Sequence, residues 1–138
     1  MRVRISANLL RGFTKRAKVL YPMEYVELAY GRQVRNDFVI LALMPPEQDA
    51  NTGSVVWTED EDTDTLDDSN SSPVLLGPIH SHPRENEASP SEFDWKAQRT
   101  GGYLIAGICA IWRKGEDGPL KSRVQFYLAN ALLDMEKS

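Results

Sequence analysis

Residues 77–95 read GPIHSHPRENEASPSEFDW. The stretch closes an apolar run, PVLLGPIH (73–80), and places both of the chain's histidines, His80 and His82, at its end. On an extended strand residues i and i+2 project to the same side, so the spacing predicts two imidazoles facing one space. That suits a metal. Catalytic zinc takes three nitrogen or oxygen ligands from the protein and leaves a fourth position open. Asp94 is the candidate third ligand, because a loop returning over the strand end can bring the start of the next helix beside the histidines. Each half of the pattern has a plainer reading. An H-x-H pair alone describes two ordinary imidazoles, and Ser91 with Asp94 three residues on describes a capped helix start. Two same-side histidines, a proline-bounded loop and a capping serine with its acid are hard to explain jointly as structure.

Outward from this stretch, the periodicities alternate between strand and helix. VRI (3–5) opens a short strand, and Ser6 or Asn8 can cap a helix whose apolar residues Leu10, Phe13, Ala17 and Leu20 recur at three and four. Pro22 ends it. EYVELAY (24–30) sets Val26, Leu28 and Tyr30 on one face and Tyr25, Glu27 and Ala29 on the other, and FVILAL (38–43) is a second apolar strand. With GRQVRND as the turn, residues 25–43 predict a hairpin. MPPEQDANTG reads as a loop and SVVW as a short strand. Pro78 suggests a strand edge or a bulge, since it cannot donate to a ladder. SEFDWKAQRT (91–100) predicts a helix stopped by Gly101 and Gly102, and YLIAGICAIW (103–112) a central strand apolar on both faces. RKGEDGPLKS turns the chain, RVQFYLA is a last strand, and NALLDMEKS a short helix or frayed tail. The expectation is an α/β fold, a mixed sheet with two or three helices.

Composition bounds the function. The chain has 138 residues, 41% of them apolar, enough to fill one core. Its net charge is -4, yet residues 59–68 (EDEDTDTLDD) hold seven carboxylates and no cation, so the remainder carries +3. The segment 58–72 is too charged to bury anything and is expected to be a mobile surface insertion, most simply a solvated loop, or else a contact for a basic partner. No basic stripe with interleaved aromatics suggests nucleic-acid binding. The single Cys109 sits in an apolar run, so no disulfide framework is expected. No signal-peptide core or bilayer-length run is seen, and the expectation is a soluble, cytoplasmic protein without membrane partners. Trp57, Trp95 and Trp112 read as core or groove-lining residues.

HSHP, followed after a short loop by PSEFD, resembles the signature of the JAMM (MPN-plus) zinc metalloprotease family: an upstream glutamate, then H-S/T-H-P, then S-x-x-D. YPMEYVELAYG resembles the family segment that carries the glutamate just ahead of a hairpin strand, which points to Glu24. Gly77 before the histidine strand and GGYLIAGI after the motif helix also match. The resemblance spans roughly Ser6 to Leu128, apart from the acidic insertion. It implies a single domain over 1–138 with a curved mixed sheet flanked by helices, of cytidine-deaminase-like architecture. It further implies that His80, His82 and Asp94 hold Zn²⁺, that Glu24 handles the proton of the attacking water, and that Ser91 helps stabilise the oxyanion. The implied substrate is an amide or isopeptide bond at the tail of a ubiquitin-like or small carrier protein. One departure stands out: eleven residues separate His82 from Asp94 where relatives usually have ten. Glu27 is the competing glutamate, expected to be a solvent-facing residue in mid-strand. The alternative function is a non-catalytic scaffold or binding module of the same fold. Zinc deaminase chemistry lacks its H-x-E and P-C-x-x-C residues, and an H-E-x-x-H helix is absent.

Overall fold

The computed structural model describes residues 1–52, 54–58, 73–84 and 102–138. Nine strands and one helix run through them in the order β1 (Arg2–Ile5), α1 (Ala7–Leu20), β2 (Val26–Val34), β3 (Asp37–Met44), β4 (Glu47–Ala50), β5 (Val55–Thr58), β6 (Val74–His82), β7 (Ala106–Trp112), β8 (Lys121–Leu128) and β9 (Ala131–Lys137). Seven of the strands close into a barrel in the order β1-β3-β2-β6-β7-β8-β9, while β4 and β5 form a separate two-stranded sheet. The expected mixed sheet is present, but it closes on itself. β1 pairs in parallel with both β3 and β9, β6 pairs in parallel with β7, and the other ladders are antiparallel. One flanking helix is found among the described residues. The predicted helix 91–100 and the acidic residues 59–72 lie outside them.

Helix α1 forms where the 3.6-residue period predicted it. The Ser6 hydroxyl accepts the Leu9 N–H at 3.1 Å, which identifies Ser6 rather than Asn8 as the cap. Leu10, Phe13 and Ala17 are the buried face, and Leu20 is exposed. Fully burying Phe13 contributes about 2–3 kcal/mol of apolar transfer. A cis Tyr21–Pro22 bond follows the helix.

Four sequence expectations give way to longer-range pairing. NALLDMEKS is neither helix nor frayed tail: residues 131–137 form β9, antiparallel to β8 and parallel to β1, because both partners offer backbone groups that a helix would leave unpaired. GRQV belongs to β2 and only Arg35 and Asn36 turn the chain, Arg35 with φ 58°. The loop read at 44–53 contains β4, paired with β5. β6 is not an edge strand. It lies between β2 and β7, and its ladder with β7 begins at Ile79, one residue past Pro78, so the proline sits where that ladder has not started. A register shift does occur beside it: Ala29 faces Gly77 but Tyr30 faces Leu75, which makes Leu76 the extra residue of a bulge.

The core is one cluster in which Phe13 and Ala17 of α1 meet Val3, Phe38, Ile79 and Phe126 of the barrel. Cys109 belongs to it, and burial pushes its thiol up to about 12, which removes it as a nucleophile. At Gly77 the chain passes so close to the Ile105 carbonyl that an added Cβ would lie 1.7 Å from its oxygen. Only glycine fits there, three residues before His80. No helix among the described residues is long and apolar enough to cross a membrane.

Candidate metal centre

β6 is buried from Leu76 to His82, so both histidines emerge at the end of a strand packed on each side. Their Nε2 atoms are 3.0 Å apart and their ring centroids 4.8 Å. Glu24 joins them: one carboxylate oxygen and one nitrogen from each ring all lie within 4.8 Å of one another, and all three residues are at least nine-tenths buried. The structure therefore brings Glu24, His80 and His82 together. Ser91, Asp94 and Trp95 lie outside the described residues.

Strand parity explains why Glu24 reaches the histidines and Glu27 does not. Val26 pairs with His80 across β2 and β6, and Glu27 with Ile79. Continued outward, the same register sets Tyr25 across from Ser81 and Glu24 across from His82. Even-numbered residues of this segment share the histidine face, and odd-numbered ones share the other.

The opposite face corrects the reading of Glu27. It is not solvent-facing but fully buried, its carboxylate accepting Arg16 Nε at 2.5 Å, Arg16 Nη2 at 2.8 Å and the Tyr25 hydroxyl at 2.6 Å. Arg16 comes from α1, whose Phe13 also stacks on Tyr25 at 5.8 Å. A buried carboxylate needs such a fork of donors. Burial pushes the Tyr25 phenol up to about 12, and its bond to Glu27 adds to the rise, so it stays a donor.

Beyond the regular ladders, other groups take over the backbone. Ser81 N–H donates to the Tyr25 carbonyl at 2.8 Å, as an antiparallel pair would. The reciprocal bond is made to a side chain instead: Tyr25 N–H donates to Ser81 Oγ at 2.9 Å. Val26, facing the other way, gives its N–H to Gln48 Oε1 at 2.9 Å and receives Gln48 Nε2 on its carbonyl at 3.0 Å. Glu24 N–H donates to the Asn51 carbonyl at 3.0 Å. Three consecutive residues are thus held by three partners. Sequence reasoning missed the roles of Ser81, Gln48 and Asn51: Ser81 falls inside the HSHP motif, but nothing local says what its hydroxyl bonds, and nothing marks Gln48 or Asn51, since their partners lie tens of residues away.

The donor set fits a zinc-type ion. Two nitrogens bound at about 2.0–2.1 Å in a tetrahedral arrangement would stand roughly 3.3 Å apart, close to the observed 3.0 Å separation of the Nε2 atoms. Two buried imidazoles with the Glu24 carboxylate beside them also match the chemistry of such a site, the histidines as ligands and Glu24 within reach of a group bound next to them. Trp57, half-buried, donates from Nε1 to the Tyr103 hydroxyl at 3.3 Å and stacks on that ring; Trp112 is half-buried at the end of β7.

No protein-family model matches the sequence, and no curated protein matches it. Solved structures do. A JAB1/MPN domain protein from Archaeoglobus fulgidus superposes with a TM-score of 0.60 at 19% identity, covering 99% of this chain and 98% of its own. A protein from Desulfitobacterium hafniense, determined in solution, superposes with a TM-score of 0.65 at 18% identity, covering 99% and 92%. At these identities the likeness shows the fold: the chain is built like a JAB1/MPN domain over essentially its whole length.

Proposed function

We propose that the chain is a zinc-dependent metallopeptidase that hydrolyses an amide or isopeptide bond at the tail of a ubiquitin-like or small carrier protein. The observation that carries this reading is the convergence of the Glu24 carboxylate on the buried His80 and His82 imidazoles. The JAB1/MPN fold supports it. In this reading His80 and His82 hold the ion, Asp94 completes the ligand set, and Ser91 donates a hydrogen bond to the substrate oxygen. Bound there, zinc would supply Lewis acidity and lower the pKa of a water to about 7.

The remaining chemistry belongs to side chains. Glu24 accepts the proton of the attacking water at its carboxylate and returns it to the departing amine, a role that requires it to be ionised first and protonated in between. Because the group is buried, little bulk water competes for that proton. The bond that breaks is the amide C–N, and the new C–O bond comes from water, so one carboxylate and one amine leave.

The test is a metal assay joined to a cleavage assay. Purified protein is expected to hold one zinc per chain and to cut a linear fusion to a ubiquitin-like carrier. Glu24→Gln is expected to keep the zinc and lose turnover by about 10²–10⁴-fold. A zinc-loaded protein that cuts no carrier fusion and no peptide amide would instead be the scaffold of the same fold, and one that binds no zinc would defeat both the metal site and the enzyme.

A further inference from the structure

We infer that Ser81, the residue between the two histidines, positions Glu24 at the histidine pair without itself touching the metal or the substrate. The inference rests on the proposed metal site. Ser81 has the opposite strand parity to His80 and His82, is 1% exposed, and bonds to Tyr25 twice, through its N–H and through its Oγ. Tyr25 is the residue that joins Glu24 to β2. The ladder between β2 and β6 stops at Val26 and His80, so from there outward this two-point contact is what continues the register toward His82.

A backbone carbonyl in place of Oγ would demand full strand geometry at Tyr25. The hydroxyl accepts the Tyr25 N–H from a side-chain position instead, and the chain leaves the ladder without stranding a buried donor. The Glu24 N–H points away from β6, as the Val26 N–H does, and donates to the Asn51 carbonyl, so Tyr25 is the residue of this segment whose backbone faces Ser81. Removing Oγ leaves the Tyr25 N–H buried and unsatisfied, and the segment relaxes away from β6, taking Glu24 with it. Replacing it by another hydroxyl does not.

The experiment compares wild type, Ser81→Ala, Ser81→Thr, Glu24→Gln and the double variant Ser81→Ala/Glu24→Gln in three measurements. Amide hydrogen exchange on the metal-free protein reads the contact directly: the Tyr25 amide is protected in wild type and Ser81→Thr, and exchanges at least about tenfold faster in Ser81→Ala, while Leu28 is unchanged. Zinc affinity, from competition with a chelator, reads the action through Glu24. Ser81→Ala and Glu24→Gln each weaken binding a few-fold, and the double variant is no weaker than Glu24→Gln alone. Turnover of a carrier fusion falls about 10- to 100-fold in Ser81→Ala with zinc still bound at one per chain.

An unprotected Tyr25 amide in wild type overturns the contact, even if Ser81→Ala does not fold. Additive zinc affinities overturn the action through Glu24, because damage transmitted through the histidines would persist without the carboxylate. A protein that shows the exchange and affinity pattern but cuts nothing supports this inference and defeats the peptidase reading. One that cuts the fusion equally well with and without Oγ does the reverse.

Discussion

The mouth of the barrel at β2 and β6 and its seam at β1 and β9 hold the chain together in opposite ways. At the mouth the ladder runs out, and side chains shielded from water finish it: the buried Ser81 for Tyr25, and the half-buried Gln48 for Val26. At the seam the ladder is complete, Arg2 to Ile5 facing Asp134 to Lys137, and what its polar side chains add is ion pairing at the surface, Arg2 with Glu136 across it at 2.8 Å and with Asp37 of β3 at 3.0 Å. Polar side chains cost most to remove where water cannot replace them. The mouth should therefore be fragile to point changes, and the seam tolerant.

After the loss of turnover in Glu24→Gln, the largest expected effect on stability is at Arg16. Arg16→Met leaves the fully buried Glu27 carboxylate, among the described residues, with the Tyr25 hydroxyl as its partner. Because Arg16 is itself half exposed, the cost is placed at about 2–3 kcal/mol, below a fully buried pair, and is read by urea unfolding. Gln48→Ala comes next, at about 1–2 kcal/mol, with faster exchange at the Val26 amide as its local signature. Arg2→Ala is expected to leave the melting temperature unchanged within error, and added salt to do no more. If Arg2→Ala cost as much as Gln48→Ala, the contrast between mouth and seam would be broken. If Arg16→Met cost nothing, burial at the mouth would not be the reason for it.

Local periodicity was enough for α1, for the β2–β3 hairpin and for the apolar β6 and β7, whose side chains declare their faces over a few residues. It failed where the deciding partner is remote. Residues 131–137 carry a pattern that suits helix or tail, and become a strand because β1 and β8 flank them. Glu27 looked like a surface residue because its counter-charge, Arg16, comes from another element. At the candidate centre, the H-x-H spacing foretold that two imidazoles would share a side, and the histidines do meet. The backbone bonds made by Ser81 and Gln48 were not legible, since neither residue type announces a partner 56 or 22 positions away.

The parallel pairing of β1 with β9 has a kinetic side. During synthesis β1 can zip onto β3 early, yet its other flank stays bare until residues 131–137 leave the ribosome, on the order of ten seconds later at usual translation speeds. For that interval the nascent chain exposes an unsatisfied row of amides and carbonyls, the feature that recruits stray strands. The ladder that removes this hazard cannot form before β9 is made, so shortening β9 should cost yield in the cell well beyond what it costs in thermodynamic stability.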